Sequence, residues 1–192
     1  MVALQSFRPH SFLFSILIIV FFFSFTISIS SAATETVQKV CNQTSYYRYC
    51  VATLYSDPRT PNADPYFLAY ISFGLAYLNA SNSHDFFSHA VNNTRPHHHK
   101  LVQSLTICQD GYKRVVSALE TAYEDLNTES FAKLGRLSRV AGRAADKCNR
   151  AFSGVVKAPV GSAAPAVAVR NRDMKRLSEI CSVVSKLLGA SK

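Results

Sequence analysis

From Leu101 onward, apolar side chains recur at Leu101, Leu105, Cys108, Tyr112, Val115, Leu119, Ala122 and Leu126. The steps alternate between four and three. A strand would repeat every two residues, so this pattern is a helical seam. Asn127-Thr128 interrupts it, and Thr128 followed by Glu129 and Phe131 predicts the N-terminal cap of a second helix. That helix carries Phe131, Leu134, Leu137, Ala141, Ala144, Cys148 and Phe152 on one face, and Gly154 ends it. A last helix is expected from Asn171-Arg172-Asp173, with Met174, Leu177, Cys181, Val184 and Leu188 in line and Gly189 as its C-terminal cap.

Upstream, Asp64-Pro65 opens a helix with Leu68, Ile71, Leu75 and Leu78 on one side, since proline suits a first helical turn. His84 to Val91 reads as helix as well, and Pro96 interrupts before the long seam begins. Thr34 to Tyr55 is short and mixed, and predicts helical pieces around a Cys41–Cys50 link. Ser56 to Pro61 is a turn-rich linker. Val155 to Val169 carries Pro159, Gly161 and Pro165 and is expected to be a loop. Strand alternation and internal repeats are absent from the pattern. Several seams joined by short connections predict an all-α chain built as an antiparallel four-helix bundle.

The first 33 residues are a different material. They hold more than half of the 13 Phe, one charged residue (Arg8) and no acid. Arg8 and His10 precede an apolar run from Phe12 to Ile29, and Ser31-Ala32-Ala33 supplies small residues before Thr34. This layout predicts a secretory signal peptide over residues 1–33, cut between Ala33 and Thr34. A membrane anchor is the rival reading. Ser15, Ser24, Thr26 and Ser28 dilute the run, and no basic cluster follows to stop transfer. The remainder, residues 34–192, is expected to be soluble once the signal is cleaved.

Export changes how the later residues read. Asn42-Gln43-Thr44, Asn79-Ala80-Ser81 and Asn92-Asn93-Thr94 become candidate glycosylation sites, each requiring a surface asparagine. The 5 cysteines become candidates for pairing, with one left over. Cys41 and Cys50 suggest a short local loop. Cys108 and Cys148 each fall on a helical stripe, so a bridge between them would tie two neighbouring helices. Cys181 lies on an apolar stripe, where a free thiol behaves as a small hydrophobe.

The chain offers little chemistry for an enzyme. It has no Glu-x-x-His pair, no Gly-x-Ser-x-Gly and no phosphate-binding glycine loop. Glu120, Glu124, Asp125 and Glu129 cluster at a helix end on outward positions. His97-His98-His99 has no spacing for a tetrahedral metal site, because consecutive residues point in different directions around a helix. No metal and no cofactor are expected. The formal charge is +9, and removing the signal takes away only one positive charge. Arg136, Arg139, Arg143 and Arg150 contribute to a basic face. Export argues against nucleic acid as its partner, leaving an acidic polysaccharide or an acidic protein.

Certain residues together carry a family likeness. They are Cys41 and Cys50, Cys108 with Tyr112 and Leu119, Cys148 with Phe152 and Gly154, and the tail from Leu177 to Leu188. The whole of residues 34–192 resembles the plant invertase/pectin methylesterase inhibitor family. The resemblance implies an N-terminal helical hairpin extending the four-helix bundle, bridges Cys41–Cys50 and Cys108–Cys148, and a free Cys181. It also implies an apoplastic protein without catalysis of its own, bound one-to-one over the active-site cleft of pectin methylesterase or acid invertase. Invertase-type members carry Pro-Lys-Phe at the start of the helix after the long seam, where this chain reads Glu129-Ser130-Phe131. That departure favours pectin methylesterase as the target. Ile107 stands where the family has Asp before the third cysteine. Glu129, Ser130, Phe131, Arg136, Arg139 and Arg143 are the candidate contacts with the partner. The competing reading is a module that binds acidic pectin through its arginines without inhibiting an enzyme.

Overall fold

The computed structural model describes residues 34–153 and 163–190. The signal-peptide segment, Gly154 and residues 155–162 of the expected loop lie outside them. Among these residues six helices follow one another: α1 (Glu35–Cys41), α2 (Tyr47–Leu54), α3 (Pro65–Asn93), α4 (His99–Asn127), α5 (Leu134–Ser153) and α6 (Ala163–Ala190). Short 3₁₀ turns at Thr60–Asn62 and Phe131–Lys133 precede α3 and α5. No strand occurs among the described residues. No helix among them is long and apolar enough to cross a membrane.

α3 to α6 form a ring in which each helix packs on two neighbours, α3 on α4, α4 on α5, α5 on α6 and α6 back on α3. Side-chain hydrogen bonds fix the directions. Tyr66, near the start of α3, bonds the Leu126 carbonyl at the end of α4. Ser104 near the start of α4 bonds Ala151 O near the end of α5. Ser178 bonds Ser138 O while Asn171 bonds Asn149, so α5 and α6 also run oppositely. Cys181 with Ser72 and Arg170 with Asn82 give the same sense for α6 and α3. The bundle is antiparallel throughout.

The α4 seam is buried along its whole length, from Leu101 to Leu126. Within it, Cys108 is bonded to Cys148 of α5, with the two Cα atoms 4.7 Å apart. One turn on, Gly111 leaves room for Ala144, whose Cβ lies 3.5 Å from where a Gly111 Cβ would stand. Small residues on both helices allow the close approach that the bridge needs. A second bridge, Cys41–Cys50, joins α1 to α2 as a hairpin. This hairpin rests on α6, where Glu179 accepts hydrogen bonds from both the amide and the hydroxyl of Ser45 at 2.8 Å. Cys181 is fully buried in the core as a free thiol.

Asp64 caps α3 as its sequence suggests, accepting from the Phe67 amide at 2.7 Å with Pro65 in the first turn. Other local expectations need correction. His84 to Val91 belongs to the same unbroken helix as Pro65, and its buried row is not the leucine row. Leu75 is only half-buried and Leu78 is 58 % exposed, while Ala76, Ala80, Ser83 and Phe87 face the core. A helix turns slightly more slowly than a strict heptad pattern, so a row chosen at one end drifts off the contact face. α5 shows the same displacement. Its buried positions are Leu134, Ser138, Ala141, Ala145, Cys148 and Phe152, whereas Leu137 and Ala144 are half-buried.

α6 begins at Ala163, eight residues before the expected start, so residues 163–169 are helical and not loop. Pro165 is tolerated because first-turn amides have no intrahelical acceptor to lose. Gly189 lies within α6 and has no positive φ, so it is not a cap. Thr128 is also not the start of a helix. It closes α4, its hydroxyl donating to Glu124 O at 3.0 Å.

Candidate functional site

Three surface features remain after the core is accounted for. The first is a cleft of about 650 Å³ between α5, α6 and the loop joining α1 to α2. α6 supplies Arg172, Lys175, Arg176 and Glu179, α5 supplies Arg139 and Asn149, and the hairpin loop supplies Ser45 and Tyr46. Lys175 pairs with Asp146 at 2.7 Å, and Asp173 is shared between Arg172 at 3.1 Å and Arg176 at 3.8 Å. Arg139 makes no ion pair among the described residues. The Arg176 guanidinium lies over Tyr46 and Tyr49, 4.4 and 4.8 Å from their ring centres. Such stacking uses the guanidinium face and leaves its edge for hydrogen bonding. Its Nε is buried without a hydrogen-bond partner. Burial is the main reason the Tyr49 phenol is harder to ionise than usual.

One lining residue of this cleft is tied to the core. Asn149 Oδ1 accepts from Asn171 Nδ2 at 2.7 Å, and Asn171 Oδ1 accepts from the Tyr112 hydroxyl at 2.9 Å. Asn171 and Tyr112 are fully buried. Buried amides and phenols persist where each finds a partner, so this chain links α4, α6 and α5 in one register.

The second feature is the tip between α4 and α5. Glu129 has φ 53°, a left-handed conformation in which glycine is usual. Its amide donates to Leu126 O at 3.0 Å and that of Ser130 to Asp125 O at 2.7 Å. Together these two bonds are the paired closure of a helix that ends in a left-handed residue. Phe131 then packs against Tyr66, ring centres 5.9 Å apart.

The third feature is a run of half-buried tyrosines in the groove between α3 and α4. Tyr66 and Tyr70 meet edge-on at 5.2 Å, Tyr70 leans on Tyr123 at 5.9 Å, and Tyr77 meets Tyr123 at 6.4 Å. Tyr70 donates to Asn127 Oδ1. Its hydrogen bond with Tyr66, aided by burial, pushes the Tyr66 phenol up to about 12.

The model of the plant invertase/pectin methylesterase inhibitor family matches residues 35–186. The chain belongs to that family. It is 31% identical over 179 residues to the cell wall/vacuolar inhibitor of fructosidase 2 of Arabidopsis thaliana, covering 93% of this chain and 96% of that protein. Against the pectinesterase inhibitor of Actinidia deliciosa it is 25% identical over 193 residues, covering 97% and 98%. Among solved structures, a mutant form of a pectin methylesterase inhibitor from Arabidopsis superposes with a TM-score of 0.67 at 18% identity, covering 80% of this chain and 97% of that one. A second pectin methylesterase inhibitor structure from Arabidopsis thaliana gives 0.58 at 18%, covering 81% and 97%. At that identity the structures speak for the fold alone.

As a member of the invertase/pectin methylesterase inhibitor family, the chain is a proteinaceous enzyme inhibitor. Within this inhibitor the sequence-derived contact residues fall in two places. Glu129, Ser130 and Phe131 form the α4–α5 tip, with Glu129 and Ser130 exposed and Phe131 half-buried. Arg136, Arg139 and Arg143 are exposed along α5, and of the three only Arg139 lines the cleft. His97, His98 and His99 are exposed at the entry to α4. No cluster of His, Cys, Asp and Glu among the described residues is placed to hold a metal ion. Asn42 and Asn92 are exposed, whereas Asn79 is half-buried in the middle of α3 with its Oδ1 buried and unpartnered. Sequence reasoning missed Arg172, Lys175 and Arg176. Their spacing along α6 was the available signal, since positions three and four apart share a helix face.

Proposed function

We propose that residues 34–192, released from the signal segment into the secretory route, bind one-to-one over the active-site cleft of a plant carbohydrate-active enzyme and exclude its substrate. The inhibitor itself catalyses nothing in this reading. The α4–α5 tip and the outer face of α5, with Glu129, Ser130, Phe131, Arg136, Arg139 and Arg143, form the contact. A tip of this kind suits the role because Phe131 is held by Tyr66 and Glu129 by the helix closure, so little conformational freedom is lost on binding. Complementary charge from the arginines sets orientation and association rate.

The proposed target is an acid invertase. The observation that carries this choice is the greater identity to the fructosidase inhibitor, 31% against 25% for the pectinesterase inhibitor, each over nearly the whole chain. Glu129-Ser130 in place of Pro-Lys supports the second reading, pectin methylesterase. Parallel titrations of both enzymes test the pair. Inhibition of invertase at micromolar protein with pectin methylesterase unaffected is the expected result, and the reverse pattern selects the second reading. If neither enzyme slows, the occlusion mechanism is wrong.

Attachment to acidic pectin through Arg136, Arg139, Arg143 and Arg150 is a separate reading, supported by the exposure of all four side chains on α5. Salt-sensitive retention on polygalacturonate is its signature.

A further inference from the structure

We infer that the cleft between α5, α6 and the hairpin loop is a binding site for a uronate-bearing oligosaccharide. This deepens the pectin reading above in ligand class, and places the ligand in a built cleft lined mainly by α6. Four cations, Arg139, Arg172, Lys175 and Arg176, line it from two helices. Their local acids offset only part of this charge: Lys175 is paired with Asp146 at 2.7 Å, Asp173 is divided between Arg172 and Arg176, and Arg139 has no acid partner among the described residues. The Arg176 guanidinium lies over the rings of Tyr46 and Tyr49 at one side of the cleft. A planar carboxylate matches the fork of an exposed guanidinium such as that of Arg139 or Arg172, with charge-assisted hydrogen bonds.

The remaining groups point to a sugar rather than a bare anion or an acidic peptide. Sugar hydroxyls both donate and accept. The cleft sets an acceptor carboxylate, Glu179, alongside the amide of Asn149 and the hydroxyl of Ser182. Tyr46 remains 48 % exposed and offers the rim an aromatic platform. Asn149 is anchored through Asn171 to the core, so this polar group is positioned before a ligand arrives.

The test is calorimetric titration of the purified exported protein at low salt with trigalacturonate, its fully methyl-esterified form and inorganic phosphate. Trigalacturonate is expected to bind with one-to-one stoichiometry, and the ester and phosphate about tenfold or more weaker. An Arg139→Gln/Arg172→Gln double variant should lose about tenfold or more in affinity with its melting temperature unchanged, whereas Lys113→Gln on α4 should match the wild type. In the wild-type protein, ligand-induced amide shifts should centre on Ser45, Tyr46 and Asn149. No binding of trigalacturonate, full affinity in the double variant, or shifts centred elsewhere would overturn the site. Equal binding of phosphate would overturn its assignment to a sugar. Enzyme inhibition is read separately. Its failure with trigalacturonate binding intact removes the occlusion reading alone, and the converse result removes this site alone. Loss of polygalacturonate retention on changing Arg136, Arg143 and Arg150, with trigalacturonate affinity kept, separates the α5 face from the cleft.

Discussion

The Tyr112 hydroxyl donates a 2.9 Å hydrogen bond to Asn171 Oδ1, across the bundle from α4 to α6, with both residues fully buried. Removing the hydroxyl in Tyr112→Phe leaves the Asn171 oxygen buried without its donor. The expected loss is about 1–3 kcal/mol, read as a lower urea midpoint at unchanged slope. A midpoint within error of wild type would mean that the bond contributes nothing net.

The same burial makes the Tyr112 phenol harder to ionise. A group whose folded pKa is raised lends full stability below its unfolded value and loses it as pH rises towards the folded one. Stability should therefore hold up to about pH 10, the ordinary tyrosine value, and fall beyond it. Ultraviolet titration should show Tyr112 silent until the alkaline unfolding transition, and Tyr112→Phe should flatten that alkaline slope.

The two bridges should differ in worth. Cys108–Cys148 closes a loop with a separation of 40 and Cys41–Cys50 one of 9. By chain entropy their removal costs about 4 and about 2.5 kcal/mol. Denaturant melts of the paired alanine variants rank them, and the opposite order would mean that native-state effects outweigh loop closure.

Glu129 carries its left-handed φ with a β-carbon. Glu129→Gly should stabilise the protein by up to about 1 kcal/mol, the steric relief exceeding the added chain entropy. If the tip contacts the target enzyme, the same change should weaken inhibition. A melting temperature that falls would show that the Glu129 side chain holds the tip together.

Burial pushes the Cys181 thiol well above its ordinary pKa. A thiolate reagent should find no reactive cysteine in the native protein and one after unfolding without reductant. Rapid native labelling would show that the core opens locally around Ser72 and Cys181.

The helical character was legible wherever one face was rich in large apolar residues. α4 is the clearest case, since its seam from Leu101 to Leu126 is buried as its spacing demands. α3 and α5 were read one row off because alanine and serine fill much of their buried faces, and size-based patterns favour the exposed Leu78 over the buried Ala80. The helical part of the expected loop, residues 163–169, was hidden by Pro165, whose position in a first turn becomes visible only when the helix start is known. The α4–α5 tip could be located from Asn127-Thr128, but its closure depends on Glu129 adopting a conformation that sequence assigns to glycine.

By itself the sequence determined the helical class, the cysteine framework and the family likeness, because periodicity, cap residues and spacing are properties of neighbours along the chain. The tertiary structure alone decided which polar faces meet. Arg139 on α5 and Arg172, Lys175 and Arg176 on α6 share a cleft only because Asn171 bonds Asn149 and Ser178 bonds Ser138 in one antiparallel register. That register is set by small residues permitting close approach and by buried polar groups that must find partners. Both are conditions between helices, and no single helix records them.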